Sequence, residues 1–246
     1  MVTLLRYRLV REKLSAVPKH ERDLFLALGG VANELILLQK LIIWTPHGRA
    51  EEPFLQAQNT QALVLFRLLG GKLHEAWQLI HKAFFGAKVA REYDGHMGEE
   101  AQKALNMIKR YHSSPNVLDQ VRNEYAFHFS APRFGDGLNH KFKDPLSIYI
   151  GPQPANSLFY CSELLANVSL IGEKSTGQVA GKFGELIQEA SMVVSHWLDF
   201  ISGYQTLFVR RHRAALEDKP ETIRLEQVQS LDMISIPWFI DPPPET

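Results

Sequence analysis

One cysteine, Cys161, stands in 246 residues, which excludes an internal disulfide and a thiolate-rich zinc site. Ten histidines are present, yet there is no His-Glu-x-x-His, no Glu-x-x-His pair and no Cys-x-x-Cys. No Gly-x-Ser-x-Gly elbow, Walker loop or dinucleotide fingerprint occurs either. No metal and no cofactor is therefore expected. Charge of one sign is also missing: 27 Lys and Arg face 27 Asp and Glu, for a formal net charge of zero. A protein that holds nucleic acid through its overall field would be basic, so any RNA contact must be local. Long apolar runs are absent as well. The most hydrophobic stretch, Val31 to Trp44, is broken by Glu34, Gln39 and Lys40 and falls short of the ~20 residues that span a bilayer. Met1 to Arg11 is too charged for a secretory signal. A soluble cytoplasmic protein without membrane contact is the expectation.

What the chain does have is helical periodicity. Leu24, Leu28, Val31, Leu35, Leu38 and Ile42 predict a helix over about 19–44. Phe66, Leu69, Leu73, Trp77, Ile80 and Phe84 predict another over about 53–86. Ala101, Leu105, Ile108 and Tyr111 mark a third, ending near His112. Ser114-Pro115 supplies an N-cap and first-turn proline for a fourth, with Leu118, Val121 and Tyr125 on one stripe. Phe183, Leu186, Ala190, Val193, Trp197, Ile201, Tyr204 and Phe208 define the fifth. Gly29-Gly30 and Gly70-Gly71 sit inside the first two helices at matching offsets, which suits close contact between them, since glycine costs about 1 kcal/mol in a helix.

Between the fourth and fifth helices the texture changes. Pro132 to Pro145 reads as loop. Leu146–Ile150 and Leu158–Cys161 read as two short strands around a Gly-Pro-Gln-Pro turn, and Ser162–Ile171 fits helix or strand equally. The expected fold is mainly α: one domain over 1–246, an antiparallel long-helix bundle with a small β/loop insert at 140–171 before the last long helix. The tail at 234–246 adds a possible edge strand.

The chemistry-bearing stretch is Arg122-Asn123-Glu124-Tyr125-Ala126-Phe127-His128. A guanidinium grips phosphate, an amide orients it, and an imidazole moves a proton near neutral pH. At ~100° per residue, Arg122 and His128 lie roughly 120° apart and about 9 Å apart along the axis. One helix alone does not bring them together, so the pair needs another helix or a second subunit. The alternative is structural, with Arg122 and Asn123 bonding helix ends and His128 satisfied at an interface. The same loose spacing recurs at Arg91 to His96 and at Arg133 to His140, in Gly-containing stretches where no amide follows the arginine.

These seven residues resemble the Arg-x4–6-His motif of the HEPN superfamily (higher eukaryotes and prokaryotes nucleotide-binding domains), in which the position after the arginine is typically polar. The resemblance covers roughly 19–130 and the last long helix. It implies a helical bundle, a homodimer and a metal-independent endoribonuclease acting on RNA, in a toxin–antitoxin or defence setting with a cognate antitoxin as partner. Carried over, Arg122 binds the scissile phosphate, His128 is the general acid or base, and Asn123 orients Arg122 or the phosphate. Glu75, in Leu73-His74-Glu75-Ala76-Trp77, and Tyr125 are supporting residues. Arg210, Arg211 and Arg213 form the one dense basic cluster, available to RNA phosphates or, equally, to a helix dipole. A non-catalytic interaction protein of the same fold is the rival reading.

Overall fold

Apolar side chains at a 3.6-residue spacing must bury one stripe of each helix, and the structure, a computed structural model, is accordingly mainly helical. It describes residues 2–45, 51–122, 131–139, 145–171, 179–215, 220–226, 228–230 and 233–241. Among these, the helices are α1 (Arg11–Ser15), α2 (Lys19–Ile43), α3 (Phe54–Ile80), α4 (Lys88–Tyr93), α5 (Glu99–His112), α6 (Val117–Val121), α7 (Ala131–Gly137), α8 (Tyr160–Ile171) and α9 (Val179–Arg211). A π-helical turn, His81–Phe85, follows α3. Two strands, β1 (Val2–Arg6) and β2 (Glu221–Leu225), pair antiparallel with Leu4 opposite Ile223.

The chain divides into two compact units. The first comprises Met1–Ile36, Lys72–Ser114 and Met192–Ser230; the second comprises Leu37–Gly71, Pro115–Ser191 and Leu231–Thr246. In the first, the periodic residues of four helices form the core: Leu24, Leu28 and Leu35 of α2, Leu73 and Ile80 of α3, Leu105 and Ile108 of α5, and Trp197, Ile201, Tyr204 and Phe208 of α9 are all buried. Rings lock it: Phe25 stacks on Phe208 at 4.0 Å, and Phe84 meets Phe200 edge-on at 5.7 Å. Glu99 and Glu100 open α5, and Lys109, Arg110 and His112 close it, complementing the helix dipole at both ends. Gly203 of α9 lies against α5. A Cβ added there would fall less than 3.0 Å from the Ala101 Cβ, so only glycine fits without moving a helix.

In the second unit Phe66, Leu69, Leu118, Val121, Leu164 and Phe183 are buried. Ala57, Leu158, Tyr160 and Leu164 cluster with Tyr149, Trp238 and Phe239 packed against them. Arg67 of α3 bridges to Glu163 of α8 at 2.6 Å and 3.3 Å, both side chains largely buried.

Several expectations are corrected. The fourth helix is capped not by Ser114 but by Asn116, whose side chain accepts from the Asp119 N–H at 2.9 Å. Within the 140–171 insert the strand pair reduces to one bridge, Tyr149 to Leu158; Tyr160 and Cys161 instead open α8, which resolves Ser162–Ile171 as helix. Residues 131–137 are helical, not loop. The tail forms no edge strand among its described residues. It docks through isolated bonds: the Ile236 N–H donates to the Trp44 carbonyl, Trp238 Nε1 to the Ser157 carbonyl, and the Ile240 N–H to the Asn156 side chain. The sheet that does form joins residues 2–6 to 221–225, outside every stretch read as strand. The Gly-Gly pairs meet different surroundings. A Cβ at Gly30 would meet nothing within 4 Å, whereas one at Gly70 would lie 2.9 Å from Val121 Cγ1 of α6. Val31–Trp44 is not an isolated short run either. All of it but Trp44 lies within the 25-residue α2, which is long and apolar enough to cross a membrane by length and composition. The burial of Leu24, Leu28, Leu35 and Ile42 shows that one face of α2 packs inside the protein.

Candidate functional site

Arg122 occupies the C-cap of α6, half-buried, with αR dihedrals of −60° and −48°. The short helix beneath it is fixed at both ends. Asn116 caps its start, and its Leu118 and Val121 side chains sit over Gly70 of α3, where a larger residue would push α6 away. Asn123, Tyr125 and His128 lie outside the described residues, so the geometry of this motif is seen from Arg122 alone. Glu75 is exposed on α3 and belongs to the first unit, whereas Arg122 belongs to the second. The two rival matches change standing. Arg91 lies on α4 and Arg133 within the span of α7, so neither is a loop arginine, and Asn123 becomes the feature that sets the Arg122 match apart.

The densest polar constellation is elsewhere, in the first unit, around Glu21. This residue stands in the first turn of α2, where a carboxylate complements the dipole, and its side chain is only 3% exposed. One carboxylate oxygen accepts from the Tyr93 hydroxyl at 2.6 Å and lies 2.7 Å from His212 Nε2. Arg211 Nε approaches it at 3.5 Å. The Tyr204 hydroxyl donates to the Glu21 backbone carbonyl at 3.2 Å, and the Tyr93 and Tyr204 rings stack at 4.5 Å. Arg211 also bonds Glu92 at 2.8 Å and lies over the Tyr93 ring.

Burial alone would raise the Glu21 carboxyl pKa. The hydrogen bonds from Tyr93 and His212 and the charges of His212 and Arg211 outweigh it and hold the group below its ordinary value. Burial, with the adjoining Glu21, pushes both tyrosine hydroxyls well up, so they stay protonated and keep a proton to donate. His20, Glu21 and Glu92 bring ligand atoms within 4.8 Å of one another. The Arg211 guanidinium, bonded to Glu92 and beside Glu21, already supplies the cation that such a set would hold. The cluster thus works as a tether joining α2, α4 and α9.

That tether separates the three basic residues. Arg211 is committed to Glu92, Glu21 and the Tyr93 face, while Arg210 and Arg213 are exposed. Sequence reasoning missed Glu21 because His20-Glu21-Arg22-Asp23 looks like any solvated helix start. The available signal was Tyr204. A tyrosine in the middle of an apolar stripe carries a hydroxyl that must find a partner.

No family model, curated protein or solved structure matches the chain.

Proposed function

We propose that the chain is a HEPN-like, metal-independent endoribonuclease in which Arg122 and His128 act at a cleft shared by two copies. Arg122 neutralises and polarises the scissile phosphate, with Asn123 fixing its orientation and Tyr125 in support. His128 takes the proton as the ribose 2′-oxygen attacks phosphorus. The bond from phosphorus to the leaving 5′-oxygen breaks, that oxygen receives a proton, and a 2′,3′-cyclic phosphate remains.

The observation that carries this reading is the anchoring of Arg122. It leaves α6 from a backbone point fixed by the Asn116 cap and the Gly70 contact, and a fixed attachment point for the guanidinium suits transition-state binding. Arg210 and Arg213, exposed at the end of α9, offer secondary phosphate contacts. A toxin–antitoxin or defence setting, with an antitoxin as partner, follows from the same reading. The rival, a non-catalytic interaction protein, is favoured by one observation: large apolar residues stay exposed along β1 and beyond it, Leu5 at 58%.

The deciding assay incubates purified protein with single-stranded RNA in EDTA, beside Arg122→Ala and His128→Ala. Cleavage by the wild type, with products ending in cyclic phosphate and a loss of at least ~100-fold in either variant, is expected. Wild-type activity no greater than that of His128→Ala overturns the ribonuclease in favour of the interaction protein.

A further inference from the structure

Along α9, Ser202, Thr206 and Arg210 recur every fourth residue and so share one exposed face, with Gln205 and Val209 in the row beside it. That stripe walls an open groove of 530 Å³, whose other side is Phe25 of α2 with Tyr7 and Leu9 from the stretch after β1. All of these residues belong to the first unit. The apolar lining is accessible: Phe25 and Val209 are half-buried and Leu9 is 40% exposed. Among the described residues no carboxylate lines the groove, and Arg210 supplies its one charge. Its guanidinium makes no ion pair or hydrogen bond among the described residues, unlike Arg211 beside it, which Glu92 and Glu21 take up. A smaller neighbouring pocket, also bordered by Arg210, holds Glu100 and Asp199, yet neither pairs with it. The Gln205 amide is half-buried, lies over Gly29 of α2 and is likewise unbonded among the described residues. A concavity with apolar walls and a few unsatisfied polar groups is how small-molecule sites are built.

We propose that this groove binds a single-chain amphipathic carboxylate, a medium-chain fatty acid, with its head on Arg210 and its tail along Leu9, Phe25 and Val209. The head follows from the charges. A guanidinium pairs with a carboxylate through two parallel N–H···O bonds, and a lining without acids offers an anion no repulsion. The Thr206 hydroxyl, one turn before Arg210 on the same face, can donate to the same head. The tail follows from the apolar side chains. A bare phosphate or an RNA backbone would use Arg210 and leave Leu9, Phe25 and Val209 wet, whereas a hydrocarbon chain covers them and gains with each methylene buried. The length follows from α9: Ser202 to Arg210 rises about 12 Å, which a chain of about ten carbons spans. The site uses none of Arg122, Asn123 and His128, so it stands or falls apart from RNA cleavage.

The test titrates the full chain by calorimetry with sodium decanoate, sodium acetate and decyltrimethylammonium, all below micelle-forming concentrations. Decanoate is expected to bind one site with a Kd of roughly 10–100 μM. Acetate has the head without the tail and decyltrimethylammonium the tail without the anion, so both are expected to bind weaker by about tenfold or more. Arg210→Gln and Leu9→Asp change exposed residues, so the helical circular dichroism signal is expected to stay unchanged in both. Each is expected to lose about tenfold or more in decanoate affinity. In a Cys161→Ser background, decanoate is expected to slow alkylation of Leu9→Cys by about threefold or more at saturation. No saturable binding of decanoate up to ~1 mM, equal binding of the cationic chain, unchanged affinity in Arg210→Gln, or an unprotected cysteine at position 9 overturns the proposal. None of these results touches the ribonuclease reading.

Discussion

Replacing Gly203 with alanine adds one carbon at the tightest helix contact in the first unit. In an exposed helix interior that change stabilises by about 1 kcal/mol, because alanine loses less backbone entropy. At Gly203 the new Cβ falls less than 3.0 Å from the Ala101 Cβ, with the Ala101 Cα at 3.6 Å. Neither neighbour is the end of a flexible side chain, so relief requires α5 and α9 to separate. Ordinary carbon contacts need roughly 3.5–4.0 Å, and overpacking of this kind costs about 1–3 kcal/mol. Taken with the propensity gain, a net destabilisation of up to about 2 kcal/mol is expected, or a Tm lower by as much as roughly 8 °C at this chain length. Two companions isolate the cause. Gly30→Ala, on a helix position with nothing within 4 Å of the new carbon, is expected to raise stability by about 0.5–1 kcal/mol. Ala101→Gly combined with Gly203→Ala is expected to be more stable than the sum of the two single changes predicts, by about 1 kcal/mol or more. Thermal and urea unfolding of the wild type, the three single variants (Ala101→Gly included) and the double variant measures all of this. A Gly203→Ala variant stabilised as much as Gly30→Ala, or additivity in the double variant, refutes the close approach.

Tyr93→Phe removes one donor from a buried carboxylate and is expected to cost about 1–3 kcal/mol in urea unfolding at neutral pH. Because the Glu21 pKa is held below that of an ordinary glutamate, the stability it lends is present above the ordinary value and drains away as pH falls through the depressed one. Glu21→Gln is therefore expected to lose less stability than the wild type on acidification from about pH 5 to pH 3, and parallel acid limbs would contradict the assignment. Arg67→Ala strands Glu163 in a largely dry site and is expected to cost about 3–5 kcal/mol, whereas replacing both partners by methionine should cost far less. Equal losses in the single and double variants would count against the buried pair.

Long elements were legible because one signal repeats many times within each. α2 runs over Lys19–Ile43 against an expected 19–44 and α5 ends at His112 as expected, since four to eight apolar positions fix the phase of each long helix; α3 stops at Ile80, short of 86, where the π-helical turn His81–Phe85 takes over. Short elements defeated the same reasoning. α7 spans only seven residues and includes a proline and two glycines, and β1 pairs with a strand more than 200 residues away. Nothing local in Val2–Arg6 announces that pairing. Arg122 was found from its neighbours in sequence. Glu21 was not, because its partners at 93, 204, 211 and 212 are assembled by packing. At Gly70 a reason for glycine was expected, and the neighbour a side chain would meet there is α6, which no local pattern in 70–71 announces.

The Glu21 tether also carries a timetable. Its carboxylate and His212 are separated by 191 positions in the chain. At ribosomal rates of about 5–20 residues per second, roughly ten to forty seconds pass between their syntheses. Throughout that interval the first turn of α2 holds an acid whose basic partners do not yet exist, and the hydroxyl of Tyr93 waits with it. A nascent chain stalled before residue 211 would therefore carry helices that resemble the finished ones but lack the knot that ties them. Such chains should be the form most open to proteases and chaperones, and the last turn of α9 is the step that closes the window.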